Sequence, residues 1–263
     1  MFPVFYLSHG GGPCFFMKGS YPISAFDKNS KVAKWYKNFE KNFVPRRPKS
    51  IIIISAHWEE STVHITSNPT PNLYYDYYGF PKHTYSLQYP AKCDVELARK
   101  LQCKLSSSGI PAVLDPKRDW DHGVFIPLLV MFPEADIPLV QISLKSNLSA
   151  EDHIKIGRVL GDPDIRKDSM IIGSGFATHN LRVMFGGSNK SVVPWLGWLK
   201  KTLTSPDLTQ QEREKLLMNW SSAPDARYFH PREEHLLPLH VCLGAASGGK
   251  NEEIYDFIMD DVG

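Results

Sequence analysis

The chain has 263 residues, enough for one large domain or two small ones. Hydrophobic residues make up 42% and charged residues 22%, which supports a sizeable core and excludes a disordered segment. Thirty basic residues stand against 28 acidic ones without a dense basic run, so no nucleic-acid partner is expected.

No apolar run reaches the ~18 residues of a bilayer span, so no membrane partner is expected. The opening MFPVFYLSHGGGPCFF lacks the basic region and cleavage site of a signal peptide, which makes the cytosol the expected compartment. The cysteines Cys14, Cys93, Cys103 and Cys242 form no CxxC pair or zinc-finger spacing, and they read as buried free thiols.

In chain order, PVFYLS (3–8) reads as a strand and KVAKWYKNFEKNF (31–43) as a helix. The apolar run SIIIISAH (50–57) lacks a polar face, as a strand covered on both sides does. Residues 61–92, rich in Tyr, Pro and Asn, read as a long functional loop or lid. A helix follows over 93–109, ended by Gly109, and RDWDHGVFIPLL (118–129) starts another, with Asp119 or Asp121 as its N-cap. IPLVQISL (137–144) and SMIIGSG (169–175) are further strands, separated by a helix over 149–161 that Ser149 opens. Residues 192–220 turn helical, and EEHLLPLHVCLGAA (233–246) reads as a buried final helix. The alternation predicts a single α/β domain over 1–263, with a mostly parallel or mixed sheet flanked by helices and the active site at one sheet edge.

Among the ten histidines, His9, His57 and His179 follow or end apolar strands, and His235 opens the final helix. Ligands collect at the carboxyl ends of strands in open α/β sheets, so the first three converge if their strands run parallel. Imidazoles on rigid strand ends suit a metal, with Glu59, Glu233 and Glu234 as nearby acceptors or ligands; ordinary hydrogen-bonded structural histidines are the alternative. His122 falls in the first turn of its helix. His153 reads as a solvated helix residue and His240 as a buried one. The triplet Gly10–Gly12 fits neither a Walker loop nor GxGxxG, and no GxSxG nucleophile elbow is present.

Six segments together resemble the class III extradiol ring-cleavage dioxygenases, most closely the 4,5-DOPA dioxygenase extradiol branch. They are SHGGGP (8–13), SAHWE (55–59), YDYYGFP (75–81), DWDHGVFIPL (119–128), GSGFATHNL (173–181) and REEHLLPLHV (232–241). The resemblance implies metal binding by His9, His57 and His235. It gives His179 the role of acid/base, or of a fourth ligand, and His122 that of a contact to substrate oxygen. Fe(II) would be the working ion, with Zn(II) readily accepted, and a catechol such as DOPA and O2 the substrates, leaving a muconic semialdehyde. Protocatechuate-type members use a carboxylate as third ligand, whereas here His235 stands in that position with Glu234 beside it. Tyr75 and Tyr78 of the covering loop and Arg182 are expected to meet substrate, and Glu59 and Glu234 to support the ligands. A zinc hydrolase or a non-catalytic metal-binding module on the same fold remains the alternative, and a monomer or small homo-oligomer the expected state.

Overall fold

The computed structural model describes residues 1–20, 22–246 and 251–253; residues 254–263 of the expected domain lie outside the described residues. Six strands, β1 (Val4–Ser8), β2 (Ser50–Glu60), β3 (Val63–Thr66), β4 (Ala112–Asp115), β5 (Leu139–Lys145) and β6 (Ser169–Gly175), form one sheet in the order β1-β6-β2-β5-β3-β4. The pairs β1–β6, β6–β2 and β2–β5 are parallel, while β3 meets β5 antiparallel, so the sheet is mixed.

Helices α1 (Lys31–Lys37), α2 (Phe39–Phe43), α3 (Val95–Ser107), α4 (His122–Met131), α5 (Ala150–Leu160) and α6 (Pro163–Arg166) fill the first two thirds of the chain. Then come α7 (Leu181–Gly186), α8 (Val193–Thr204), α9 (Gln210–Met218), α10 (Ala226–Phe229) and α11 (Leu237–Ala245).

The isoleucine run shows why the sheet needs two covers. Side chains alternate along a strand. Ile51 and Ile53 pack with Val32, Tyr36, Phe39 and Phe125 from α1, α2 and α4, while Ile52 and Ile54 pack with Leu101, Ile156 and Val241 from α3, α5 and α11. All four are fully buried, and each contributes about 1.5–3 kcal/mol by leaving water. A third cluster around Trp195 and Trp220 joins α8 and α9 to α11. Among the described residues, no helix is long and apolar enough to cross a membrane.

The four expected strands are present, and two short ones, β3 and β4, are additional. At four residues each they carry too little alternation to stand out, and β3 lies inside the stretch read as irregular. The helix expected over 31–43 breaks at Asn38, which ends α1 and begins α2. Ser149 does open α5, accepting from Asp152 N at 3.2 Å. The final helix starts at Leu237, with Pro238 in its first turn where a missing N–H does no harm. His235 therefore sits in the turn before the helix and not in it. Cys103 is exposed, unlike the buried Cys14, Cys93 and Cys242.

Candidate active site

Because β1, β6 and β2 run parallel side by side, their carboxyl ends share one edge of the sheet. His9 follows β1 directly, and His179 lies four residues beyond Gly175, the end of β6. His57 does not end its strand; β2 runs on to Glu60, but its register with β5 shifts between Ile54 and Glu59. Such irregularities re-aim side chains next to functional sites, and this one contains His57.

The turn bearing His235 is pinned by its own carbonyl. That oxygen accepts from Phe176 N at 2.9 Å and from the Tyr6 hydroxyl at 3.0 Å. Gly175 permits the approach, since a Cβ there would lie 2.1 Å from His235 O. At Gly123, a Cβ would come within 2.4 Å of Ser55 Oγ and 3.2 Å of His57 Cδ2.

His122 is the first residue of α4, as expected, but Asp121 does not cap it with its side chain. The buried Asp121 carboxylate instead accepts from Ser55 Oγ at 2.7 Å, from Arg118 at 2.6 Å and from Gln141 Nε2. The oxygen that meets the first helical N–H belongs to Asp76, which accepts from His122 N at 2.9 Å and from His122 Nδ1 at 2.8 Å. Asp76 was not singled out from the sequence. Its only signal was membership of the YDYYGFP motif.

His57 Nε2 stands 3.1 Å from His9 Nε2 and 3.3 Å from His235 Nε2. Proton positions follow from the other ring nitrogens. Ser174 donates its hydroxyl to Gly123 O, so its oxygen can only accept from His9 Nδ1 at 3.0 Å. His235 Nδ1 faces Glu234 Oε1 at 3.0 Å. Burial raises the Glu234 pKa, but hydrogen bonds from His179 and His235 outweigh it and hold the carboxylate well below its usual range. Both rings thus carry hydrogen on Nδ1 and turn a bare Nε2 inward.

Burial also pushes the proton affinities down, His57 to about 4 and His235 to about 3, the latter in spite of Glu234. His9, buried and beside His57, His122, His235 and His179, is held well below the usual range. The bare Nε2 atoms of His9 and His235 both face His57 Nε2, and a cation among the three satisfies all of these lone pairs at once. Two nitrogens bound tetrahedrally to one ion at ~2.0–2.1 Å stand about 3.3 Å apart, close to the spacing here. The residues fit a divalent metal, and the carboxylates of Asp76 and Glu234, beside His57 and His235, would offset part of its charge.

Metal-capable groups also form two trios, His9–His57–His122 and His179–Glu234–His235, which the His57–His235 contact joins. His179 stacks on His235 with ring centres 3.4 Å apart and planes at 17°. In-plane lone pairs of two nearly parallel stacked rings do not converge on one ion. Its Nδ1 lies 3.5 Å from Glu234 Oε1. Glu234 and His235 occupy a turn, and the carboxylate meets its neighbouring ring at Nδ1, the nitrogen opposite the one that faces His57.

Glu59 touches none of the histidines by hydrogen bond; it pairs bidentately with Arg232 at 2.6 and 2.5 Å, and Arg232 reaches Glu234 at 3.2 Å. Glu233 pairs with Arg227 instead. Arg182 and Arg232 line a cavity of about 440 Å³ together with His179, Asn180 and Glu234. The Tyr75 hydroxyl is committed to Leu87 O at 2.7 Å, and Tyr78 is 92% exposed. Between them in sequence, the buried Tyr77 sets its ring edge-on to His122 at 5.9 Å. His240 is buried as expected, but His153 is 0% exposed and not solvated. Its Nδ1 faces Ser149 O at 2.7 Å and its Nε2 accepts from Lys145 N at 3.1 Å, so it is a structural member of the α5 junction.

A sheet edge that gathers inward-facing imidazoles, with a further histidine beside a cavity, suits a metal-dependent enzyme. Comparison with known proteins specifies the chemistry. The family described as the catalytic LigB subunit of aromatic ring-opening dioxygenase matches residues 3–258, and the chain belongs to that family. It is an extradiol dioxygenase. A 4,5-DOPA dioxygenase extradiol from Beta vulgaris is 35% identical over 245 residues, covering 91% of this chain and 89% of the relative. A dioxygenase from Hapsidospora irregularis is 38% identical over 256 residues, covering 93% and 78%. The crystal structure of an uncharacterized protein from Escherichia coli K12 matches with a TM-score of 0.68 at 27% identity, covering 93% of this chain and 89% of that one.

Proposed function

We propose that the protein opens a catechol ring by extradiol cleavage, carrying both atoms of O2 into a muconic semialdehyde, with Fe(II) held by His9, His57 and His235. DOPA or a related catechol is the substrate class, in keeping with the names of the Beta vulgaris, Mirabilis jalapa and Portulaca grandiflora relatives. The observation that carries the reading is the set of three Nε2 atoms spaced at 3.1 and 3.3 Å about His57, with the outer two fixed as bare acceptors. Fe(II) supplies acidification of the bound diol and the one-electron route to dioxygen that Zn(II), which suits the same imidazoles, lacks.

The protein's own groups do the proton work. His179, with Nδ1 toward Glu234, leaves Nε2 as the base for a catechol hydroxyl and returns that proton as the ring opens. Its stacking on His235 favours this acid/base role over ligation. His122, tied through Nδ1 to Asp76, offers Nε2 to the second substrate oxygen, accepting a proton and donating once it holds one. Phe176 lies 5.1 Å edge-on from His9 and Tyr77 meets His122, so apolar rings limit water beside the reacting atoms. Arg182, at the cavity, meets a carboxylate on the substrate side chain.

Anaerobic loading with Fe(II), followed by DOPA and oxygen, tests the proposal. One O2 consumed per catechol with a yellow product supports it. No oxygen uptake across a catechol panel, with metal confirmed in the protein, rejects it. His57→Ala is expected to remove the metal, and unchanged metal content would overturn the ligand assignment.

A further inference from the structure

We infer that Asp76 is a positioning residue that sets the ring tautomers of His57 and His122 together, tying the seating of the irregular segment 67–92 to assembly of the metal site. The inference rests on the reading of His57 as a metal ligand. Asp76 is placed from both sides. Three residues before it Leu73 bridges to Trp120, with Trp120 N donating to Asn72 O at 3.0 Å and Tyr74 N to Trp120 O at 2.7 Å. Its two neighbours, Tyr75 and Tyr77, set their rings against Phe125 of α4 at 5.7 and 6.3 Å.

The carboxylate held there has only 11% of its side chain exposed. Its Oδ1 takes both the backbone N–H and the Nδ1–H of His122, which fixes that ring with Nε2 toward the site. Its Oδ2 faces His57 Nδ1 at 3.6 Å, beyond hydrogen-bond range but close enough for charge to orient a ring. His57 has two choices. With hydrogen on Nε2 it donates to the bare Nε2 of His9 or His235, but it then presents a lone pair to the Asp76 carboxylate and has no lone pair for a metal. With hydrogen on Nδ1 it turns its N–H toward the Asp76 charge and completes the three-nitrogen set. The carboxylate tips the ring to the second state, the way outer partners orient metal-binding histidines generally.

The test uses Asp76→Asn, Asp76→Glu and the wild type, each metal-free and then titrated with Zn(II) by calorimetry. Whichever way the Asn amide turns, the negative charge facing His57 Nδ1 is gone. Zinc affinity is expected to fall about 10–100-fold in D76N and to recover in part in D76E. Nitrogen-15 NMR of histidine-labelled, metal-free wild type supplies a readout that needs no variant, and His57 is expected with its proton on Nδ1. Zinc binding by D76N within twofold of wild type overturns the role of Asp76 and leaves the metal site standing, as does an Nε2–H His57 in the wild type. Failure of the wild type itself to bind zinc overturns the ligand reading on which the inference rests.

Discussion

Replacing Gly175 by Ala changes one hydrogen to a methyl group, 2.1 Å from the carbonyl oxygen of His235. Carbon–oxygen contacts settle at about 3.3 Å or more, so the His235 turn or the end of β6 must move by roughly 1.2 Å. Little else can yield, because the same oxygen is held by Phe176 N and the Tyr6 hydroxyl, and a Cβ would also stand 3.2 Å from the Tyr6 ring. Overpacking costs about 1–3 kcal/mol, and weakening one of the two hydrogen bonds adds roughly 1 kcal/mol. A loss of about 2–4 kcal/mol in the metal-free protein is expected. The larger effect falls on function, since a displacement near 1 Å typically costs about 100-fold in rate. Urea unfolding of the metal-free protein, zinc titration and oxygen uptake with Fe(II) measure the three consequences. If G175A loses stability but binds zinc and turns over like wild type, His235 is not positioned through this contact. Unchanged stability would show that the contact itself is not made.

Acid destabilisation follows from His153, which burial pushes to about 4 although its bond to Ser149 O opposes the shift. The unfolded chain, with His near ~6.5, binds the proton first as pH falls, so stability is lost between about pH 6.5 and 4. The cost approaches ~3 kcal/mol for this residue. Urea midpoints of metal-free wild type and H153Q between pH 7 and 4.5 should diverge in slope by one proton; parallel slopes would refute the assignment. His179→Ala should keep its zinc affinity while kcat falls about 10²–10⁴-fold, and loss of zinc binding would instead make His179 a ligand. Substitution of Arg182 by Met is expected to raise KM for DOPA up to about fivefold and leave unsubstituted catechol unaffected, in line with a partly exposed ion pair; equal changes for both substrates would remove Arg182 from carboxylate recognition. Ile53→Ala, in the fully buried centre of β2, should cost about 2–5 kcal/mol in urea unfolding without altering the geometry that binds zinc.

The sequence alone determined the scaffold and the cast of histidines. Continuous apolar runs such as Ile51–Ile54 state locally that a strand is buried on two faces, and the ends of such runs place His9, His57 and His179 at one sheet edge once the strands are parallel. The motif order added the ring-opening chemistry. Tertiary structure decided what the rings can do. It put the irregularity of β2 at His57, released His235 from the helix ahead of Pro238 and stacked His179 on His235. It also brought Asp76 across 46 residues to His122 and hid His153, whose polar sequence neighbours suggested solvent. Periodicity reports which face of an element meets the core. Proton placement on an imidazole depends on the atom opposite each nitrogen, and that atom arrives from elsewhere in the chain only when the fold closes.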